Sequence, residues 1–127
     1  MRSPYNTSLV PPAPSVEVHL GAPGEGLAIG PLQALLDTGA DTCIVPSRYI
    51  IPLNPPVDDE RYLRLYGGGR RLVRIYTLDL GIGDLRLPSV EVVADDAESE
   101  IILGRNALNK LVITLDGPNQ TLEIHEG

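Results

Sequence analysis

The chain has 127 residues, a net charge of −7 at neutral pH and 43% hydrophobic residues. That is enough for one sizeable core and too apolar for general disorder. No apolar run reaches membrane-span length, and the acidic balance argues against a nucleic-acid binder, which needs a basic surface.

Residues 1–13 hold little periodicity and read as an extended, proline-rich arm. They lack the continuous apolar stretch of a signal peptide, so a cytoplasmic address is expected. The Asn6-Thr7-Ser8 sequon is then a chance match. Residues 14–127 read as one domain. Val16, Val18 and Leu20 alternate with Ser15, Glu17 and His19, the period of a half-buried strand. "GAPGEG" is a turn, "PLQALLDTG" a second strand, and "TCIVP" a short third one ended by Pro46. "IIPLNPPVDDE" is a proline-broken connection with little regular structure expected.

"RYLRLYGGGRRLVRIYTLDL" reads as two strands joined at Gly67-Gly68-Gly69, a hairpin with a permissive tip. Five of the ten basic residues fall here, at Arg61, Arg64, Arg70, Arg71 and Arg74. "GIGDLRLPSVEVVA" adds a turn and a strand. The acidic loop "DDAESE" lacks the ligand alternation and internal glycine of a calcium loop, so it reads as a solvated turn. "ILGRNALNKL" is the one convincing helix, with Ala107, Leu108 and Leu111 on one face. "LVITL" and "QTLEI" close the chain as a hairpin around "DGPN". Many short strands with one late helix mean a mainly β fold, a small barrel. The lone Cys43 gives no disulfide and reads as a small buried apolar residue. His19 and His125 are far apart and strand-borne, so no metal site or other cofactor is expected.

One stretch is odd. In "ALLDTGADTCIVP" an acid, Asp37, follows the apolar run Ala34-Leu35-Leu36 directly, and apolar residues resume at Cys43. An ionised carboxylate set among apolar side chains is costly unless it has a partner or a task. The bland reading is an aspartate capping its own loop in an Asx-turn.

"LLDTGADT" resembles the active-site motif of the aspartic proteases, and "IILGRNAL" resembles the Gly-Arg-Asn segment opening the C-terminal helix of retropepsins. The glycine-tipped hairpin lies between them, where retropepsins carry their flap. The resemblance covers roughly residues 15 to 127 and implies a closed retropepsin-like β-barrel with one short C-terminal helix, one lobe per chain. It implies an endopeptidase in which two Asp37 carboxylates share a proton and activate a water, one as base and one as acid. Each chain has one Asp-Thr-Gly, so the pair requires a homodimer with the site on its two-fold axis. The arm and the terminal hairpin are the candidates for that interface.

By the same resemblance, Thr38 reaches to the partner subunit; Gly39 lets backbone approach the carboxylate closely and donate to it. Ala40, Asp41, Tyr66, Gly67, Gly68 and Gly69 bind substrate, and Arg105 pairs with Asp41. The hairpin tip lacks the aliphatic residue usual among flap glycines. A peptide or protein is the expected substrate. Two other readings stand beside this one. The first is a catalytically inactive retropepsin-like dimerisation or peptide-binding module, since a fold can outlive its chemistry. The second, an aspartyl-phosphate phosphotransferase, lacks the second acid two residues on that such a site wants.

Overall fold

The structure, a computed structural model, describes the chain except for residues 65, 66, 98 and 99 and the side chain of Leu63. Ten strands run in chain order: β1 (Arg2–Pro4), β2 (Ser15–Gly21), β3 (Ile29–Leu36), β4 (Cys43–Pro46), β5 (Val57–Arg64), β6 (Arg70–Ile82), β7 (Leu85–Asp95), β8 (Ile101–Leu103), β9 (Leu111–Asp116) and β10 (Thr121–Glu126). Two one-turn helices, α1 (Ser47–Ile50) and α2 (Arg105–Leu108), and a 3₁₀ turn (Ile51–Leu53) interrupt them.

Six strands close on themselves in the order β2-β3-β8-β4-β7-β6, with β6 pairing back to β2. Closure removes the sheet edges and gives every inward side chain a wall to meet. The alternation read in β2 has this cause: Val16, Val18 and Leu20 are wholly buried, whereas Glu17 is exposed. They join Leu78, Leu80, Ile82, Val90, Val92, Ile101 and Leu103 in one core. Cys43 is buried in it, as expected of a small apolar residue. No helix among the described residues is long and apolar enough to cross a membrane.

Strand β5 lies outside the ring, paired only to β6, so the two project from the barrel as a hairpin with Arg64 opposite Arg70. Its tip is built on Gly67, Gly68 and Gly69, whose φ angles of 84°, 98° and 84° suit no other residue well.

Two sequence expectations are corrected. The segment taken as an irregular connection holds α1, the 3₁₀ turn and the start of β5 at Val57. Proline at the second position of the 3₁₀ turn is tolerated because its missing N–H would be unpaired there anyway. The expected helix over "ILGRNALNKL" is one turn long, since Ile101–Leu103 is claimed as a strand between β3 and β4. The N-terminal arm is extended, as read, and carries a strand. Strand β1 pairs with β10 of its own chain, giving a three-stranded sheet β1-β10-β9, and the Met1 ammonium donates to the Ile124 carbonyl at 2.9 Å.

Candidate active site

Asp37 is the first residue after β3. Its backbone N–H donates to the Leu103 carbonyl (3.0 Å), continuing the parallel β3–β8 pairing. A turn follows at once, with Ala40 N–H on the Asp37 carbonyl (3.2 Å). Within it the Gly39 N–H donates to Asp37 Oδ1 at 2.9 Å. Asp37 is half-buried, and no described cation forms an ion pair with it. The backbone donor orients one carboxylate oxygen, and no hydrogen bond among the described residues reaches the other.

The loop after Asp37 is clamped by α2. The Arg105 N–H donates to the Ala40 carbonyl (2.8 Å) and the Asn106 N–H to that of Asp41 (3.3 Å). Gly104 permits this approach: a Cβ there would stand 2.6 Å from the Thr42 carbonyl carbon. Asn106 Oδ1 accepts from the Cys43 N–H (3.0 Å) and its Nδ2 donates to the Glu91 carbonyl (2.8 Å), so one side chain bridges β4 and β7. Cys43 Sγ accepts the Gly104 N–H at 3.3 Å. Burial pushes the Cys43 thiol up, against a partial lowering by the Gly104 N–H, which suits an inert packing group.

One expected pairing fails. The Arg105 guanidinium donates from Nη1 to the Thr38 carbonyl at 2.8 Å, and no ion pair joins it to Asp41. Both side chains are exposed. Water solvates both charges there, so their attraction is weak beside a well-aligned bond to a fixed carbonyl.

A cavity of about 400 Å³ opens beside this loop. Gly39, Ala40, Asp41 and Arg105 form one wall, and Arg61, Tyr62, Val73 and Ile75 of the hairpin form another over Ile44 and Val93. The structure thus unites the Asp37 loop, Asp41 and Arg105 with the base of the hairpin. It does not bring the glycine tip to them; a Cβ added at Gly67, Gly68 or Gly69 would meet nothing within 4 Å. Tyr66 lies outside the described residues. Sequence reasoning missed Asn106 and the aliphatic lining. Alternation along "RLVRI" does put Val73 and Ile75 on one face, but only the barrel brings that face to Ile44.

Residues 29–110 match the gag-polyprotein putative aspartyl protease family, and the chain belongs to it. No curated protein sequence matches it. Among solved structures it is similar to a retropepsin-like aspartic protease from Rickettsia conorii, with a TM-score of 0.68 at 14% identity, covering 96% of this chain and 86% of that one. Simian foamy virus (mac) protease gives 0.55 at 18%, covering 76% and 92%. The retroviral protease-like domain of Ddi1 from Leishmania major gives 0.54 at 18%, covering 87% of each. At these identities the likeness shows a shared fold, the closed single-lobe barrel expected from the sequence.

Proposed function

We propose that the chain is an aspartic endopeptidase that works as a homodimer. The observation that carries this reading is the Asp37 carboxylate: half-buried, oriented by the Gly39 N–H and without a charge partner among the described residues. The Gly39 bond alone is what a loop-capping Asx-turn aspartate would also make. The missing charge partner, on an acid set directly after a barrel strand inside an aspartyl protease family match, favours catalysis over that role. A second carboxylate across a two-fold axis supplies the partner, and the two then hold one proton between them.

In the proposed reaction the ionised Asp37 takes a proton from water, and the water oxygen adds to the scissile carbonyl carbon. The protonated Asp37 of the partner gives its proton to the carbonyl oxygen. The protonated carboxyl then gives its proton to the departing nitrogen, while the ionised one takes a proton from a hydroxyl of the tetrahedral diol. The carbonyl re-forms, the C–N bond breaks, and the dyad is left singly protonated. Thr38, on the exposed side of the loop, would meet the partner subunit. The cavity between Asp41 and Val73 would hold a substrate side chain on its aliphatic floor, and the hairpin would lie over the bound peptide.

The test is cleavage of a peptide library read by mass spectrometry, with Asp37→Asn as control. Cleavage by the wild type and a loss of at least about a hundredfold in the variant is expected; equal cleavage by both removes Asp37 from the chemistry. The second reading, an inactive peptide-binding or dimerisation module, draws on the likeness to a protease-like domain. It would show as peptide binding by wild type and variant alike, with no cleavage by either.

A further inference from the structure

Two faces of the β5–β6 hairpin differ in what they meet. On one, Arg61 stands opposite Val73, and Val73 and Ile75 are buried with Val93 and Ile44. The Arg61–Glu91 and Arg71–Asp95 ion pairs (3.4 and 3.2 Å) tie that side to β7. The opposite face has no such cover. Going from tip to base it presents three cross-strand pairs: Arg64 with Arg70, Tyr62 with Leu72, and Glu60 with Arg74.

The first of these pairs opposes its neighbours' chemistry. Like charges set directly across a ladder are destabilising, and neither Arg64 nor Arg70 has an ion-pair partner among the described residues. The Arg70 guanidinium lies 5.1 Å from the Tyr62 ring centroid. A guanidinium stacked on a ring keeps its in-plane N–H donors free for a carboxylate. The pair behind it is apolar and wet: Tyr62 is 65% exposed and Leu72 52%. Leu72 leads into a groove of about 410 Å³ that also takes in Arg74, Tyr76, Ile51 (72% exposed) and the acids Glu60 and Asp96. The acidic residue of a ligand therefore belongs at the Arg64–Arg70 end and not in the groove.

We propose that this outer hairpin face is a docking surface for an extended, acidic polypeptide segment. Successive pairs on the hairpin are about 7 Å apart, the same interval that separates alternate side chains of an extended peptide. A segment with an acidic residue and, two positions along, an aliphatic one sets its carboxylate between Arg64 and Arg70 and its aliphatic group on Tyr62 and Leu72. A polypeptide fits better than a nucleic acid, because the molecule as a whole carries −7 and would repel a polyanion. This surface shares only Tyr62 with the wall of the cavity by the Asp37 loop and does not depend on Asp37 being catalytic.

Fluorescence anisotropy with the full-length Asp37→Asn protein tests it without interference from cleavage. The probe is a short labelled peptide with Glu-Thr-Leu in a Ser/Thr background, compared with the same peptide carrying Lys for Glu. Binding of the Glu peptide is expected, with a loss of about tenfold or more in Arg64→Ala/Arg70→Ala and weakening at high salt. Leu72→Ser should weaken it with no change in salt dependence. The double variant should melt no lower than the wild type, since both side chains are exposed and their mutual repulsion is removed. No binding, equal binding of the Lys peptide, or equal affinity of the double variant overturns the proposal. Tighter binding of a single-stranded oligonucleotide than of the Glu peptide overturns it in favour of a polyanion site.

Discussion

Asp79 shows how one buried acid can hold several loops. It is 2% exposed and accepts from the Gly24 and Ser89 N–H groups (3.0 and 2.8 Å) and from Arg86 (2.7 and 3.2 Å). Arg86 also donates to the Glu25 carbonyl. Burial by itself would push the Asp79 carboxyl up; the Ser89 and Gly24 donors and the Arg86 guanidinium outweigh it and hold the carboxyl below its ordinary range. A folded-state value depressed below the unfolded one contributes stability present above the unfolded value, about pH 4, and lost as pH falls toward the folded value. Acid titration followed by circular dichroism should show that loss below about pH 4, and Asp79→Asn should flatten it while lowering stability at neutral pH. Arg105→Ala should act differently. It removes one exposed bond to the Thr38 carbonyl, so melting should change by no more than about 1 kcal/mol while turnover falls as the Asp37 loop loosens. A large melting loss with full turnover would contradict that assignment. Gly104→Ala, forced against the Thr42 backbone, should cost about 1–3 kcal/mol in denaturant titration.

At the scale of elements, the β5–β6 hairpin is held by more than its ladder. Glu91, Val93 and Asp95 alternate along β7 on one face, so an aliphatic contact sits between two acids that reach Arg61 and Arg71. Asp95 is also fixed by the Ala97 N–H (2.9 Å). Asp95→Asn should release Arg71 and speed hydrogen exchange in the first residues of β6, leaving the β6–β7 amides near Leu78 and Val90 protected. Uniform exchange along β6 would show that the ion pair does not restrain the hairpin. The hairpin itself was legible in the sequence, because three glycines and flanking alternation are local signals. Its start at Val57 was not. Asp58 and Asp59 are poor strand formers by propensity, and pairing to β6 overrides that preference.

For the whole molecule, one Asp-Thr-Gly per chain makes the proposed activity depend on association. Turnover at low concentration should rise with the square of protein concentration and become linear above the dissociation constant. A fully active species sedimenting as a 13.6 kDa monomer would end the homodimer reading. The pairing of β1 with β10 adds a consequence for truncation. Removing residues 1–5 strips one side of β10, where Leu122 and Ile124 are 1% exposed. It should therefore lower the melting temperature of the folded chain itself, by about 2 kcal/mol or more in stability. Weaker association with unchanged melting would mean instead that the arm serves only a neighbouring subunit.

Local chemistry was readable directly. Alternation in β2, the Asp-Thr-Gly-Ala turn, the glycine tip and the terminal hairpin each depend on residues within a few positions, where φ limits and side-chain period act. Partner choice was not readable, because it depends on which distant backbones the barrel sets side by side. Arg105 could have met Asp41 by sequence logic, yet the placement of α2 over the loop points it to the Thr38 carbonyl. Ile102 and Leu103 read as the start of a helix and lie in a strand because β3 and β4 leave unpaired edges that it fills. The proline-rich arm read as extended, but only the fold supplies the edge of β10 that it pairs with. Side-chain type and spacing determined the candidate chemistry of this protein; hydrogen-bond completion across the closed barrel decided where each of those groups points.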